Sequence, residues 1–133
     1  MEKIARKDFK NINKKMDYIE NELGSILLTL GISANLQGYQ YIKESVKLTV
    51  LKPDTINAVT KVMYPTIAEK FQTTVYSVER SIRHALSVAY NKKKIKNLNK
   101  VFGMSIFTDK DLPTNSEFVA ILADRMSMAI RHL

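Results

Sequence analysis

An all-α fold, a compact six-helix domain containing a helix-turn-helix with an N-terminal helical extension, is what this sequence predicts. Three observations carry that prediction. The stretch Tyr64 to Tyr90 reads as a short helix, a tight turn and a longer helix. Apolar residues step by three or four through most of the chain. Helix-start and helix-stop residues separate the segments: Gly31, Pro53, and Thr114 with Glu117. A length of 133 residues fits one domain with a modest core, divided here into a basic N-terminal extension over 1–15 and a helix-turn-helix domain over 16–133.

The first helix is expected over Asn13 to Leu30, stopped by Gly31. Phe9, Ile12, Met16, Ile19, Leu23, Ile26 and Leu30 alternate three and four apart, a spacing that either pairs two chains or lays one amphipathic helix on its own domain. A second helix, Gln37 to Val50, buries Tyr39, Ile42, Val46 and Val50 and stops before Pro53. Asp54 caps a third, Thr55 to Met63, with Ile56, Val59 and Met63 inward. Pro65 suits the first turn of the short helix that follows. After Tyr90 a basic turn leads into a helix that buries Ile95, Leu98 and Phe102, and Gly103 to Pro113 is a loop. Thr114 and Glu117 form a capping box. The last helix buries Phe118, Ile121, Leu122 and Met126, with Met104, Met126 and Met128 as core filler.

Within the helix-turn-helix, Ile67 and Ala68 give the first helix an apolar residue and a small one for close packing, and Phe71 closes it onto the core. Many such turns carry Gly where this chain has Gln72, which predicts a positive φ there at some cost. Thr73 and Thr74 offer a hydroxyl N-cap. Val75, Val78, Ile82, Leu86 and Ala89 make one buried stripe. The opposite face carries Tyr76, Glu79, Arg80, Arg83, His84 and Ser87, which a major groove would meet. Arg can fork onto guanine O6 and N7, and a carboxylate can accept from cytosine N4, so Glu79, Arg80 and Arg83 are the expected base readers. Further DNA contacts are expected from Thr73, Thr74, Tyr76, Ser77, His84, Ser87 and the run Lys92, Lys93 and Lys94. The bland reading of the same face is a solvated charged surface on a helical hairpin.

A net charge of +8 and a pI near 9.7 point to a polyanionic partner, double-stranded DNA before an anionic membrane. No run approaches the roughly 20 apolar residues of a membrane span, and the charged start lacks a signal-peptide core. The chain has no Cys, which removes disulfides and thiolate metal sites and fits a cytoplasmic protein. His84 and His132 have no adjacent nucleophile and no ligand spacing. Neither an enzyme nor a metal or cofactor is expected.

GYQYIKESVKLTV, TKVMYPTIAEKF, VERSIRHALSVAY and PTNSEFVAILADR, in that order and spacing, resemble the C-terminal DNA-binding domain of the master sporulation response regulator of endospore-forming Firmicutes. The resemblance covers Tyr18 to Met126. It implies a six-helix domain that binds a box of the TGTCGAA type, acts as tandem copies, and regulates transcription by contacting RNA polymerase and its sigma factor. It also implies base reading by Glu79, Arg80 and Arg83. Where that family usually has Arg, two residues before the Glu, this chain has Ser77, so one contact is expected to be missing. The family's proteins begin with a phosphorylated receiver domain, for which 133 residues leave no room. The expectation is either an excised effector domain or a receiver-less protein. In the latter case the basic N-terminus would be the route to self-association on tandem boxes. The competing function is a receiver-less interaction module that pairs with or antagonises a full-length regulator.

Overall fold

Six α-helices form among residues 6–133, which the computed structural model describes: α1 Arg6–Thr29, α2 Gln37–Leu51, α3 Tyr64–Lys70, α4 Val75–Asn91, α5 Asn97–Phe102 and α6 Asn115–Ile130. A 3-10 turn, Pro53–Asn57, and a π turn, Val59–Met63, join α2 to α3. The expected start of the extension, residues 1–5, lies outside the described residues.

Helix α1 is already formed at Arg6, ahead of the expected Asn13, and runs unbroken past position 15. It ends as its glycine predicts. Gly31 adopts φ 78°, and the Ile32 N–H returns to the Leu27 carbonyl at 2.9 Å. This left-handed stop is one that glycine makes without a Cβ clash. Ile19, Leu23, Ile26 and Leu30 of the periodic stripe are buried in the chain's own core, and Met16 packs partly against it. Phe9 and Ile12 stay 56% and 39% exposed. The stripe is therefore consumed at home from Met16 onward, and only its first two residues lack cover.

The expected single helix over Thr55 to Met63 does not form, and Asp54 makes no side-chain cap. Ala58 breaks the segment at φ −137° and ψ 49°. The π turn that follows runs directly into α3, with the Met63 N–H bonded to the Ala58 carbonyl. Pro65 supplies the reason. Its ring would clash with the carbonyl four residues back, and widening the preceding turn moves that carbonyl aside. Several smaller expectations also shift, Phe102 and Met104 among them, both half-buried rather than core. Val50 and Ile121 are half-buried rather than core, α6 turning Val119 and Ala123 inward beside Phe118, Leu122 and Met126. Met128, expected as core filler, is exposed on the far side of α6.

Helix α2 lies at the centre, packed against α1, α4 and α6. Tyr39, Tyr41, Ile42 and Val46 fill the space between them. Tyr41 also meets Phe71 edge-on, ring centroids 5.1 Å apart and planes at 61°, which fastens the end of α3. Where α2 crosses α4, Gly38 faces the Ser81 carbonyl and Ala85. A Cβ at position 38 would clash with that carbonyl and lie 2.8 Å from the Ala85 methyl.

A chain of ion pairs ties three helices on one side. Glu20 on α1 meets Lys43 at 2.6 Å and Lys47 at 2.7 Å on α2. Glu44 on α2 meets Lys47 at 2.9 Å and Lys70 on α3 at 2.7 Å. Lys43 is buried and also lies over the Tyr39 ring, 4.7 Å from its centroid. Burial by itself would raise the Glu20 carboxyl, but hydrogen bonds from Lys43 and Lys47 outweigh it and hold the group below its ordinary value. Burial likewise works to raise Glu44, and hydrogen bonds from Lys70 and Lys47 outweigh it and hold that group low. Lys47 is opposed by burial yet held above its ordinary value by Glu20 and Glu44.

Two outcomes follow from this packing. Gly38→Ala should lower stability to urea by about 1–3 kcal/mol, because overpacking outweighs alanine's better helix propensity of about 1 kcal/mol. A variant at least as stable as the parent would show that the crossing has room. The depressed carboxyls contribute stability that is present above the ordinary Glu value of 4.5 and lost as pH falls through their folded values. The raised Lys47 contributes below 10.5 and ceases to as pH rises through its folded value. Replacing Glu20 and Glu44 by Gln should flatten the acid limb of stability against pH, and an unchanged limb would remove these pairs from the account.

Candidate nucleic-acid interface

The turn between α3 and α4 takes the conformation its residues predict. Gln72 sits at φ 52°, the Thr73 N–H reaches the Ala68 carbonyl at 2.9 Å, and the Thr74 hydroxyl oxygen accepts from the Ser77 N–H at 3.0 Å as the N-cap of α4. Ile67 and Ala68 are buried in the α3–α4 contact. Val78, Ile82, Leu86 and Ala89 are buried along α4, and Val75 is half-buried. That places Tyr76, Glu79, Arg80, Arg83 and His84 together on the exposed face of one helix, with Ser77 and Ser87 half-covered at its edges.

Arg80, Arg83 and Ser87 each have a defined local partner. Arg80 Nη1 donates to the Tyr76 hydroxyl at 2.7 Å, its guanidinium carbon 5.8 Å from the Tyr76 ring centroid. Arg83 Nη1 donates to the Pro113 carbonyl at 3.4 Å, just before α6. The Ser87 hydroxyl donates back to the Arg83 carbonyl within α4. Thr73 and Thr74 belong to the turn itself, the second already engaged as a cap. Among the described residues, neither Arg80 nor Arg83 is in an ion pair.

The lysine run lies past the C-terminal end of α4. Lys92, Lys93 and Lys94 are exposed, and Lys93 takes φ 57° to turn the chain. Lys92 Nζ donates to the Gly31 carbonyl at 3.2 Å, placing a cation at the C-terminal end of α1, whose last turn has no basic residue of its own. Lys96, further along, pairs with Asp109 at 3.0 Å.

One residue outside the expected set holds the exposed helix in place. Asn115 opens α6 and is buried, its Nδ2 donating to the Glu79 carbonyl at 3.0 Å and to the Tyr64 hydroxyl at 3.1 Å. Burial raises the Tyr64 hydroxyl; the Asn115 bond opposes that, and the Glu79 charge adds to it. A sequence signal for Asn115 existed. It falls three and four residues before Phe118 and Val119, on the stripe α6 buries, where a polar side chain needs a partner. Clefts of about 520 Å³ toward α6 and about 450 Å³ toward the start of α2 flank α4, and Tyr76 and Arg80 line both. The pair therefore stands as a ridge between two recesses, a convex basic shape suited to a groove.

The family described as "Sporulation initiation factor Spo0A C terminal" matches residues 23–126, a span that runs from the last two turns of α1 through most of α6.

Proposed function

The chain belongs to the Spo0A C-terminal family of sporulation initiation factors, helical sequence-specific DNA-binding regulators of transcription, and from that premise we propose that it reads a TGTCGAA-type box in the cytoplasm by laying α4 in the major groove. Glu79, Arg80 and Arg83 are the proposed base readers. The observation that carries this is their common exposure on the N-terminal half of α4, the part of such a helix that meets base edges. The free donors of both arginines suit guanine, and Glu79 suits the cytosine amino group. RNA polymerase with its sigma factor is the proposed protein partner, a role the resemblance supplies.

Arg80→Ala or Arg83→Ala should weaken binding to the box by about 1–3 kcal/mol and relax base preference at one position each. Gel-shift titrations against cognate and scrambled duplexes would test it, and equal loss on both would refute base reading. A receiver-less interaction module predicts no preference in that comparison even for the parent chain.

Lys92, Lys93 and Lys94 are proposed to add sequence-independent affinity through phosphates. Each phosphate contact removed by Ala should reduce the slope of log K against log salt by about 0.9. A triple variant with the parent slope would leave the run as a solvated turn.

Self-association on tandem boxes is a second proposal, and the exposed Phe9 and Ile12 favour it. Deleting residues 1–15 should leave the domain folded while lowering cooperativity on two-box duplexes, since pairing raises the local concentration of the second copy. Footprinting on one-box and two-box DNA decides it; undiminished cooperativity would make the segment a tail.

A further inference from the structure

We propose that Tyr76 is a positioning residue for base reading: it holds the Arg80 guanidinium over its own ring and thereby fixes where Arg80 meets the DNA. The inference rests on the reading of Arg80 as a base contact and adds the device that makes that contact specific. Tyr76 lies four residues before Arg80 on the same face of α4, the spacing at which helical side chains meet. The residue is 66% exposed, so core packing does not account for an aromatic side chain here. Two contacts then act on one guanidinium. The hydrogen bond from Nη1 to the phenol at 2.7 Å anchors it, and the ring centroid 5.8 Å from its central carbon adds a cation–π attraction.

The geometry suits presentation rather than sequestration. Arginine has five N–H donors, and the phenol accepts from one nitrogen, leaving donors for a bidentate contact with guanine. The neighbouring reader is held differently, Arg83 by the Pro113 carbonyl ahead of α6. A change at Tyr76 therefore acts on Arg80 alone. A free arginine samples many rotamers and loses that freedom on binding, whereas a side chain already held in its bound arrangement does not.

Tyr76→Phe removes the hydrogen bond and keeps the ring; Tyr76→Ala removes both. Each would be measured alone, with Arg80→Ala and with Arg83→Ala, on the cognate box and on duplexes changed one base pair at a time. The loss of one hydrogen bond predicts about 2- to 12-fold weaker binding for Tyr76→Phe, with base preference reduced at a single position. That loss should vanish in the Arg80→Ala background and persist in the Arg83→Ala background. Parent-like binding by Tyr76→Phe overturns the proposal. So does an undiminished effect without Arg80, which would make Tyr76 a DNA contact in its own right. A second readout needs no DNA: nitrogen-15 NMR of the Arg80 side chain should show slowed guanidinium rotation in the parent and free rotation in Tyr76→Phe, and equal rotation in both overturns it. A parent chain without base preference would instead refute the base-reading function, and the NMR comparison keeps the two failures apart.

Discussion

Helix α4 is set in place by a close crossing at a residue that has no side chain of its own. Gly38 on α2 lies against the Ser81 carbonyl and the Ala85 methyl, so the two helix backbones approach as closely as atoms allow. Such a crossing fixes both the separation and the rotation of α4, because any side chain at position 38 would push the helices apart. The rotation matters most. It decides that Val78, Ile82 and Ala85 face inward and that Glu79, Arg80 and Arg83 face out. Asn115 grips α4 from the other flank through the Glu79 carbonyl, so α2 and α6 hold the same helix between them.

The rest of the molecule secures α2. On its far side the Glu20, Lys43, Lys47, Glu44 and Lys70 chain joins α1, α2 and α3. Lys43 is buried with its charge, which would be costly alone; a carboxylate at 2.6 Å and the face of Tyr39 compensate. Lys70 closes the last turn of α3, so the chain of pairs extends from the long N-terminal helix to the first helix of the helix-turn-helix. A charge removed from the middle of this chain leaves its partners half-buried, which is why its effect reaches beyond one surface pair.

The exposed face of α4 is restrained too. Arg80 is held from within its own helix and Arg83 from the loop before α6, while Lys93 and Lys94 past the helix end are exposed and, among the described residues, in no ion pair. The two kinds of cation suit the two roles proposed for them. A restrained planar guanidinium distinguishes one base edge from another, and a mobile ammonium finds any phosphate. Lys92 is a mixed case, exposed but directed at the Gly31 carbonyl.

Local rules made much of this legible. Gly31, Pro65, Gln72, Thr74 and the Thr114–Glu117 box act within a turn of themselves, and all five behave as their chemistry requires. The exposed set on α4 was readable because helical periodicity alone separates Val78 and Ile82 from Glu79 and Arg83. What sequence could not give is whatever depends on a neighbour from elsewhere in the chain. The expected helix from Thr55 divided into a 3-10 and a π turn because a short connection had to enter α3 ahead of Pro65. Phe9 and Ile12 continue the same period as Ile19 and Leu23, yet only the latter find a core, since α2 does not extend beneath the first turns of α1. Gly38 and Asn115 were present in the sequence as a small and a polar residue on otherwise apolar stripes. Their purpose needed the partners that tertiary packing brings, Ser81 and Glu79, 43 and 36 positions away. Periodicity and caps, being properties of nearest neighbours, determined which segments are helices and which faces are wet. The angle at which α4 is presented was decided only by contacts between distant segments, because a helix carries no information about its own orientation until another helix touches it.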